Sequence, residues 1–318
     1  MLKNFKPILI VPGDPESIFY EIFFKSLKLK NYRSSLVILG CKKRLLNEIK
    51  KYKFKKKVKS LELKNIYKSI TSNNYINIID IPLKTNSDKH MVNNYINKCY
   101  QTAFKLIKSK YTYKFLNGPI NKKNFLDKKY IGMTEYISEY FKKKTAMLIY
   151  HKELSVCPIT THLPIKLVSK KITKKLIEEK LILVNNFFQK ILKIKPRIAI
   201  TTLNPHGESI LKINEDEDII LKAVNSLKKK KIKIKGPFSA DTIFTKANRK
   251  RFDVVAGMYH DQVLAPAKTL FEYDAINITV GLPFIRVSPD HGPNKKMVGK
   301  NMSNPSSLIK ALDFLDNK

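Results

Sequence analysis

The stretch PILIVPGDPESIFYEIFFKSLKLKNYRSSLVIL, residues 7–39, decides the fold. Pro7–Val11 and Ser35–Leu39 are short apolar runs of the kind that form buried strands, and Glu16–Leu29 between them has the pattern of a helix. A polar turn, Pro12-Gly13-Asp14-Pro15, joins the first strand to the helix.

The same alternation runs nearly to the end of the chain. Tyr75–Ile79, Tyr113–Leu116, Ala146–Tyr150, Arg197–Thr202, Phe252–Ala256 and Ala275–Val280 read as further strands. His90–Ser109, Ser169–Leu192, Glu215–Lys228, Ala240–Asn248 and Ser306–Leu315 read as helices, with Ser169 and Asn214 placed to cap two of them. Such alternation predicts an α/β architecture with a largely parallel sheet. A length of 318 residues suits two domains at about 100–200 residues each, or one large α/β unit. No low-complexity linker separates two halves, so two domains would be intimately joined.

Composition narrows the function. There are 62 Lys+Arg against 26 Asp+Glu, a formal net charge of +36, which raises the question of a nucleic-acid partner. Only six of those cations are arginine, the better residue for forked phosphate and base contacts, and the lysines are dispersed. The excess therefore reads as solvated surface, and no nucleic-acid partner is expected. The longest apolar runs, such as Ile8–Val11 and Leu181–Val184, fall far short of the roughly 20 residues of a membrane span. The opening residues make a poor secretory signal. Cys41, Cys99 and Cys157 show no metal spacing and suit reduced thiols in a cytoplasmic protein.

Parallel sheets bind ligands beyond the carboxyl ends of their strands, and polar motifs stand at those places. Three histidines, His162 in Thr160–Pro164, His206 in Asn204-Pro205-His206 and His260 in Tyr259-His260-Asp261, each follow or flank a strand. Three imidazoles converging there would hold a catalytic divalent metal, with Asp261 orienting His260 or the metal's water, although their spacing matches no local metal motif. Lys268 and Arg286 are the cations nearest the polar turns and could clamp a phosphate or carboxylate. GxGxxG, a P-loop and a GxSxG elbow are all absent from the sequence.

Taken in order, Pro12–Pro15, Gly118-Pro119-Ile120-Asn121-Lys122, Thr161–Pro164, Leu203–His206 and Gly236-Pro237-Phe238-Ser239-Ala240-Asp241-Thr242 form one set with Tyr259–Gln262, Asn277–Arg286 and Asp290-His291-Gly292. That set closely resembles the 4-hydroxythreonine-4-phosphate dehydrogenase (PdxA) family over essentially the whole chain. The resemblance implies a two-domain α/β/α fold like that of isocitrate and isopropylmalate dehydrogenases, which binds its dinucleotide without GxGxxG. It implies a cofactor-side domain at 1–118 plus 267–318 and a metal, substrate and dimerisation domain at 119–266. The implied reaction oxidises 4-phosphooxy-L-threonine with NAD or NADP. The resulting 3-keto acid then loses carbon dioxide to give 3-amino-1-hydroxyacetone phosphate, in vitamin B6 biosynthesis.

By the same resemblance His162, His206 and His260 bind one divalent ion (zinc, magnesium, cobalt or manganese), and Thr134, Lys268, Asn277 and Arg286 bind the phosphorylated amino-acid substrate. Asp241, Asp261 and Lys268 are the catalytic candidates; Asp241 reads equally well as a helix cap. A homodimer with its active site at the interface is implied. The alternatives are a related dehydrogenase for another phosphorylated hydroxy acid and a catalytically weakened paralogue.

Three places depart from the family pattern. The first turn, Gly13-Asp14-Pro15-Glu16-Ser17-Ile18-Phe19-Tyr20-Glu21, lacks two of the usual glycines, and bulky Phe19 is expected to alter the close backbone approach there. Met133 replaces the histidine of Gly-His-Thr-Glu and cannot donate its hydrogen bond. Pro293-Asn294-Lys295-Lys296 stands after Asp290-His291-Gly292, near the expected cofactor.

Overall fold

The computed structural model describes residues 5–69, 71–84, 86–121, 125, 130, 132–207 and 214–318. Lys122, the last residue of the Gly118–Lys122 motif, lies outside them. The elements, in chain order, are β1 (Ile8–Val11), α1 (Phe19–Leu29), β2 (Leu36–Gly40), α2 (Lys42–Lys51), β3 (Val58–Ser60), β4 (Ile76–Asp80), α3 (Lys89–Lys108) and β5 (Lys114–Asn117). Then come α4 (Met133–Phe141), β6 (Ala146–Tyr150), β7 (Ser155–Pro158), α5 (Lys174–Phe187), β8 (Ile198–Thr201), α6 (Lys222–Lys229), β9 (Ile234–Phe238), β10 (Val254–Gly257), α7 (His260–Phe271), β11 (Ile276–Val280), β12 (Ile285–Pro289) and α8 (Ser306–Asp316).

Two compact units result, Met1–Tyr130 with Pro283–Lys318, and Ile131–Leu282. Their limits lie further along the chain than residues 118 and 266, for reasons visible in the pairing. The Asp14 amide donates to Pro119 O, which keeps the start of the 119–130 segment with unit 1. β11 pairs along its length with β6, which keeps it in unit 2.

Unit 1 orders its strands β3-β4-β2-β1-β5-β12, and every pair is parallel. Strands β1, β2 and β5 are buried at every position, as expected where helices cover both faces of a parallel sheet. Unit 2 orders its strands β11-β6-β7-β10-β8-β9; β6 runs antiparallel to both neighbours and the remaining pairs are parallel. The α/β class with a largely parallel sheet is thus the one predicted.

Several local expectations change. α1 begins at Phe19 instead of Glu16, because Asp14 Oδ1 and Ser17 Oγ take the amides of Glu16 and Phe19 in a turn. The long helix expected at Ser169–Leu192 is broken at Ile172–Thr173, and Thr173 caps α5 by accepting from the Leu176 amide at 3.1 Å; Ser169 caps nothing. Asn214 does cap its helix, accepting from Glu217 N at 3.4 Å. The expected helix Ala240–Asn248 is two short turns, Ala240–Ile243 and Lys246–Arg249, with Asp241 inside the first and no cap.

Among the described residues, five helices end in a lysine with a left-handed backbone: Lys53, Lys110, Lys142, Lys193 and Lys231, at φ 48–62°. At Lys53, Lys110 and Lys231 the two closing bonds of the Schellman motif are present, for instance Lys53 N to Lys50 O and Phe54 N to Ile49 O. The next residue is apolar in each case (Phe54, Tyr111, Ile232) and covers the helix end. Glycine is the usual occupant of this position, and a side chain there costs about 1–2 kcal/mol. Lysine returns part of that through its charge at the negative end of the helix dipole. Replacing Lys53, Lys110 or Lys231 by glycine is expected to raise stability by about 0.5 kcal/mol each, after allowing for glycine's freer unfolded chain. An increased denaturation midpoint at unchanged slope is the measurement.

Candidate functional site

The carboxyl ends of β7, β10 and β8 form one row. Cys157, Ala256 and Ile200 stand level across these adjacent parallel strands, and His162, His260 and His206 follow within four to six residues. Pairing continues past the strands: Ile159 N donates to Gly257 O at 2.7 Å, and Thr160 donates to Met258 O from both its amide and its hydroxyl. This extension brings His162 and His260 together, with ring centroids 5.8 Å apart and planes tilted by 38°.

The neighbouring strand is tied in by Gln262. Its Oε1 accepts from Thr201 Oγ1 at 2.8 Å and from Met258 N at 2.7 Å, while its Nε2 donates to Thr202 O at 2.7 Å. One amide thereby joins the end of β8 to the first turn of α7. The turn that carries His206 is held by buried Asp216, which accepts from the amides of Leu203 and Asn204 at 2.6 and 3.1 Å. His206 itself is exposed and has a left-handed backbone at φ 60°. It stays outside the His162–His260 pair: among the described residues no group of three or more His, Cys, Asp or Glu side chains could hold a metal ion.

Each ring of the pair has a carboxylate near it. His260 Nδ1 lies 2.6 Å from Asp261 Oδ1, which leaves Nε2 as the ring atom for a ligand. Glu135 adjoins His162: a side chain on Gly132 would bring its Cβ within 2.7 Å of Glu135 Oε2 and 3.2 Å of His162 Nδ1. Two imidazoles, each with a carboxylate on one side, suit a divalent cation at the usual metal–nitrogen distance of about 2.0–2.1 Å.

The other expected site residues fall into separate groups. Thr134, buried on α4, lies 3.4 Å from Thr279 on β11, hydroxyl to hydroxyl. Asn277 shares that face of β11, two residues away, and its Oδ1 is buried without a hydrogen-bond partner among the described residues. Lys268 stands about two turns along α7 from His260, about 12 Å by helical rise. Asp241 is exposed just beyond β9.

Arg286 belongs to unit 1. It is buried on β12 level with Phe115, and its Nε donates to Asn117 Oδ1 at 2.8 Å, so the side chain runs toward the carboxyl end of β5. Asn117, which ends β5 and was not among the expected site residues, is therefore the residue that aims the arginine. The signal for it was an asparagine ending the short strand Lys114-Phe115-Leu116-Asn117.

Unit 1 also carries a cavity of about 510 Å³, lined among others by Asp14, Arg44, Lys84, Lys89, Asn93 and Lys295. Two of the departures from the family pattern meet beside it. Lys295 donates to Glu16 at 2.5 Å and holds its carboxyl below the ordinary range, and Ile18 N donates to Pro293 O at 3.2 Å. Phe19 is buried against Gly118, where an added Cβ would lie 2.5 Å from Phe19 Cδ2 and 2.1 Å from Pro12 O. The close approach is thus supplied by Gly118.

Fold and candidate site together give an α/β protein whose polar motifs stand beyond parallel strand ends, with paired histidines in unit 2 and an aimed arginine in unit 1. Residues 32–315 match the family described as pyridoxal phosphate biosynthetic protein PdxA. A 4-hydroxythreonine-4-phosphate dehydrogenase of Sulfurihydrogenibium sp. is 39% identical over 314 residues, covering 96% of each chain. A D-threonate 4-phosphate dehydrogenase of Pectobacterium atrosepticum is 30% identical over 317 residues, covering 95% of this chain and 96% of its own. The crystal structure of a 4-hydroxythreonine-4-phosphate dehydrogenase from Klebsiella pneumoniae superposes with a TM-score of 0.83 at 28% identity over 98% of both chains.

The chain belongs to the PdxA family, and it is a dehydrogenase. The two-domain α/β/α fold that the resemblance implied is the fold observed. Removing Asn117 tests the arginine's setting. Asn117→Ala leaves a buried guanidinium N–H without its acceptor and is expected to cost about 1.5–3 kcal/mol, read from denaturant unfolding.

Proposed function

We propose that the chain oxidises 4-phosphooxy-L-threonine with NAD or NADP in a metal-dependent reaction of vitamin B6 biosynthesis. The hydroxyl-bearing carbon gives a hydride to the nicotinamide and the hydroxyl gives up its proton. The 3-keto acid then loses carbon dioxide, leaving 3-amino-1-hydroxyacetone phosphate. What supports this reading is the placement of three histidines beyond three adjacent parallel strands, in a chain with a full-length relative that bears this activity's name.

His162 and His260 would hold the divalent ion (zinc, magnesium, cobalt or manganese), with His206 brought in from its exposed turn. That ion would supply Lewis-acid polarisation of the substrate oxygen. Lys268 and Arg286 would take the anionic ends of the substrate, Arg286 with a fork already aimed by Asn117. Thr134 and the unsatisfied Asn277 Oδ1 would position its polar groups. Asp261 is engaged with His260; of the remaining candidates, Asp241 and Lys268, either would receive the hydroxyl proton.

The unit 1 cavity has the size of a small-molecule site, and its lysines and Arg44 suit a dinucleotide's phosphates. Unit 1 would then be the cofactor side, and unit 2 the metal, substrate and dimerisation side. A cytoplasmic homodimer with an interfacial active site completes the proposal. None of the described helices is long and apolar enough to cross a membrane, and all three cysteines are free and buried.

A second reading is favoured by the Pectobacterium relative, which covers the chain nearly as fully: D-threonate 4-phosphate would be the substrate. Reduction of NAD and NADP by the purified protein, measured with each substrate and with or without a chelator, separates the readings. Turnover of 4-phosphooxy-L-threonine that the chelator abolishes is the expected outcome, and turnover of D-threonate 4-phosphate alone would replace it. A protein that binds metal yet reduces neither cofactor with either substrate would be a weakened paralogue. His260→Ala is expected to lower turnover at least about 100-fold, the upper end of what even a metal's outer partners cost. Undiminished turnover would refute the metal assignment.

A further inference from the structure

We infer that Glu135 is a positioning residue for His162: its carboxylate stands beside the imidazole edge to receive Nδ1–H when the site is loaded, and so to present Nε2 to the divalent ion. This rests on the metal reading above and adds a residue to it. Three observations carry it, all within unit 2.

The first is the slot made by Gly132. A Cβ there would stand 2.7 Å from Glu135 Oε2 and 3.2 Å from both Nδ1 and Cε1 of His162, so carboxylate and imidazole edge surround one point that only a glycine leaves open. The second is the state of the carboxylate. Oε1 is tethered by the hydroxyl of Thr161, the residue before His162, at 3.4 Å. Oε2 is buried and has no hydrogen-bond partner among the described residues. Buried carboxylate oxygens are costly to leave unmatched, and the N–H of the adjoining imidazole is a donor of the right kind.

The third observation is the neighbouring ring. His260, 5.8 Å away centroid to centroid, already has a carboxylate oxygen 2.6 Å from its Nδ1, supplied by Asp261. Glu135 would complete the same arrangement on the second ring, so that both histidines turn the same nitrogen to a shared ion. Carboxylate–histidine–metal triads work in this way: the outer acceptor fixes the tautomer and raises the basicity of the ligating nitrogen.

The test uses the full chain stripped of metal and titrated with cobalt(II) alone, in the wild type, Glu135→Gln and Glu135→Ala. Glu135→Gln keeps the volume and an acceptor but loses the charge, and is expected to weaken cobalt binding about tenfold. Glu135→Ala is expected to weaken it up to about 100-fold. In the metal-free proteins, nitrogen NMR of His162 is expected to shift from the Nδ1–H tautomer toward Nε2–H in both variants. A general structural role would not produce that change. If Glu135→Ala fails to fold, Glu135→Gln carries both measurements. Cobalt affinity unchanged in the variants overturns the assignment, whatever the tautomer does. A wild type that binds no cobalt overturns the metal reading itself, and the tautomer then decides alone whether Glu135 orients His162.

Discussion

Backbone hydrogen bonds lock Ser155–Pro158, Val254–Gly257 and Ile198–Thr201 into a common parallel register, and the placement of the histidines depends on that ladder. Parallel pairing sends every strand out of the sheet at the same side, so residues far apart in sequence emerge as neighbours. The ladder is prolonged past its formal end by Ile159 and Thr160 bonding to Gly257 and Met258, which carries His162 and His260 into ring contact. Side chains then take over from backbone: Gln262 and Asp216 hold the third strand's exit and its turn. The site is thus built outward from the ladder.

What the sequence disclosed followed from how strongly each segment's pattern depends on burial. β1, β2 and β6 are nearly pure apolar runs and were legible within a residue or two. β3 (VKS), β7 (SVCP) and β9 (IKGPF) are short, interrupted by lysine, proline or glycine, and hold their places only through neighbours. α7 was hidden because it opens on His260-Asp261-Gln262, which reads as a polar turn, and has Pro266 in its interior. Candidate ligands were legible one by one from motif order. Their grouping was not: that His206 stands apart, that Asn117 aims Arg286 and that Glu135 adjoins His162 are facts of register and of a missing Cβ.

The lysine excess acquires a structural aspect. With only 10 glycines in 318 residues, five of the described helix ends use lysine where the left-handed conformation favours glycine. The residue that floods the surface thus also reaches the backbone's most glycine-demanding positions, where its charge offsets part of the strain it introduces. Gly13 and Gly118 were spared, because a Cβ at either would collide with backbone oxygen at 2.1–2.2 Å, which no side-chain movement relieves.

Gln262 has a consequence for how the enzyme meets its surroundings. Its amide accepts twice at one end and donates at the other, a pattern that an ionised glutamate of the same length cannot match because it has nothing to offer Thr202 O. The spacing between two histidine-bearing strands is therefore set by a group without charge. In a molecule of +36, whose surface field rises and falls with ionic strength, this one link between β8 and α7 contains no ionisable group.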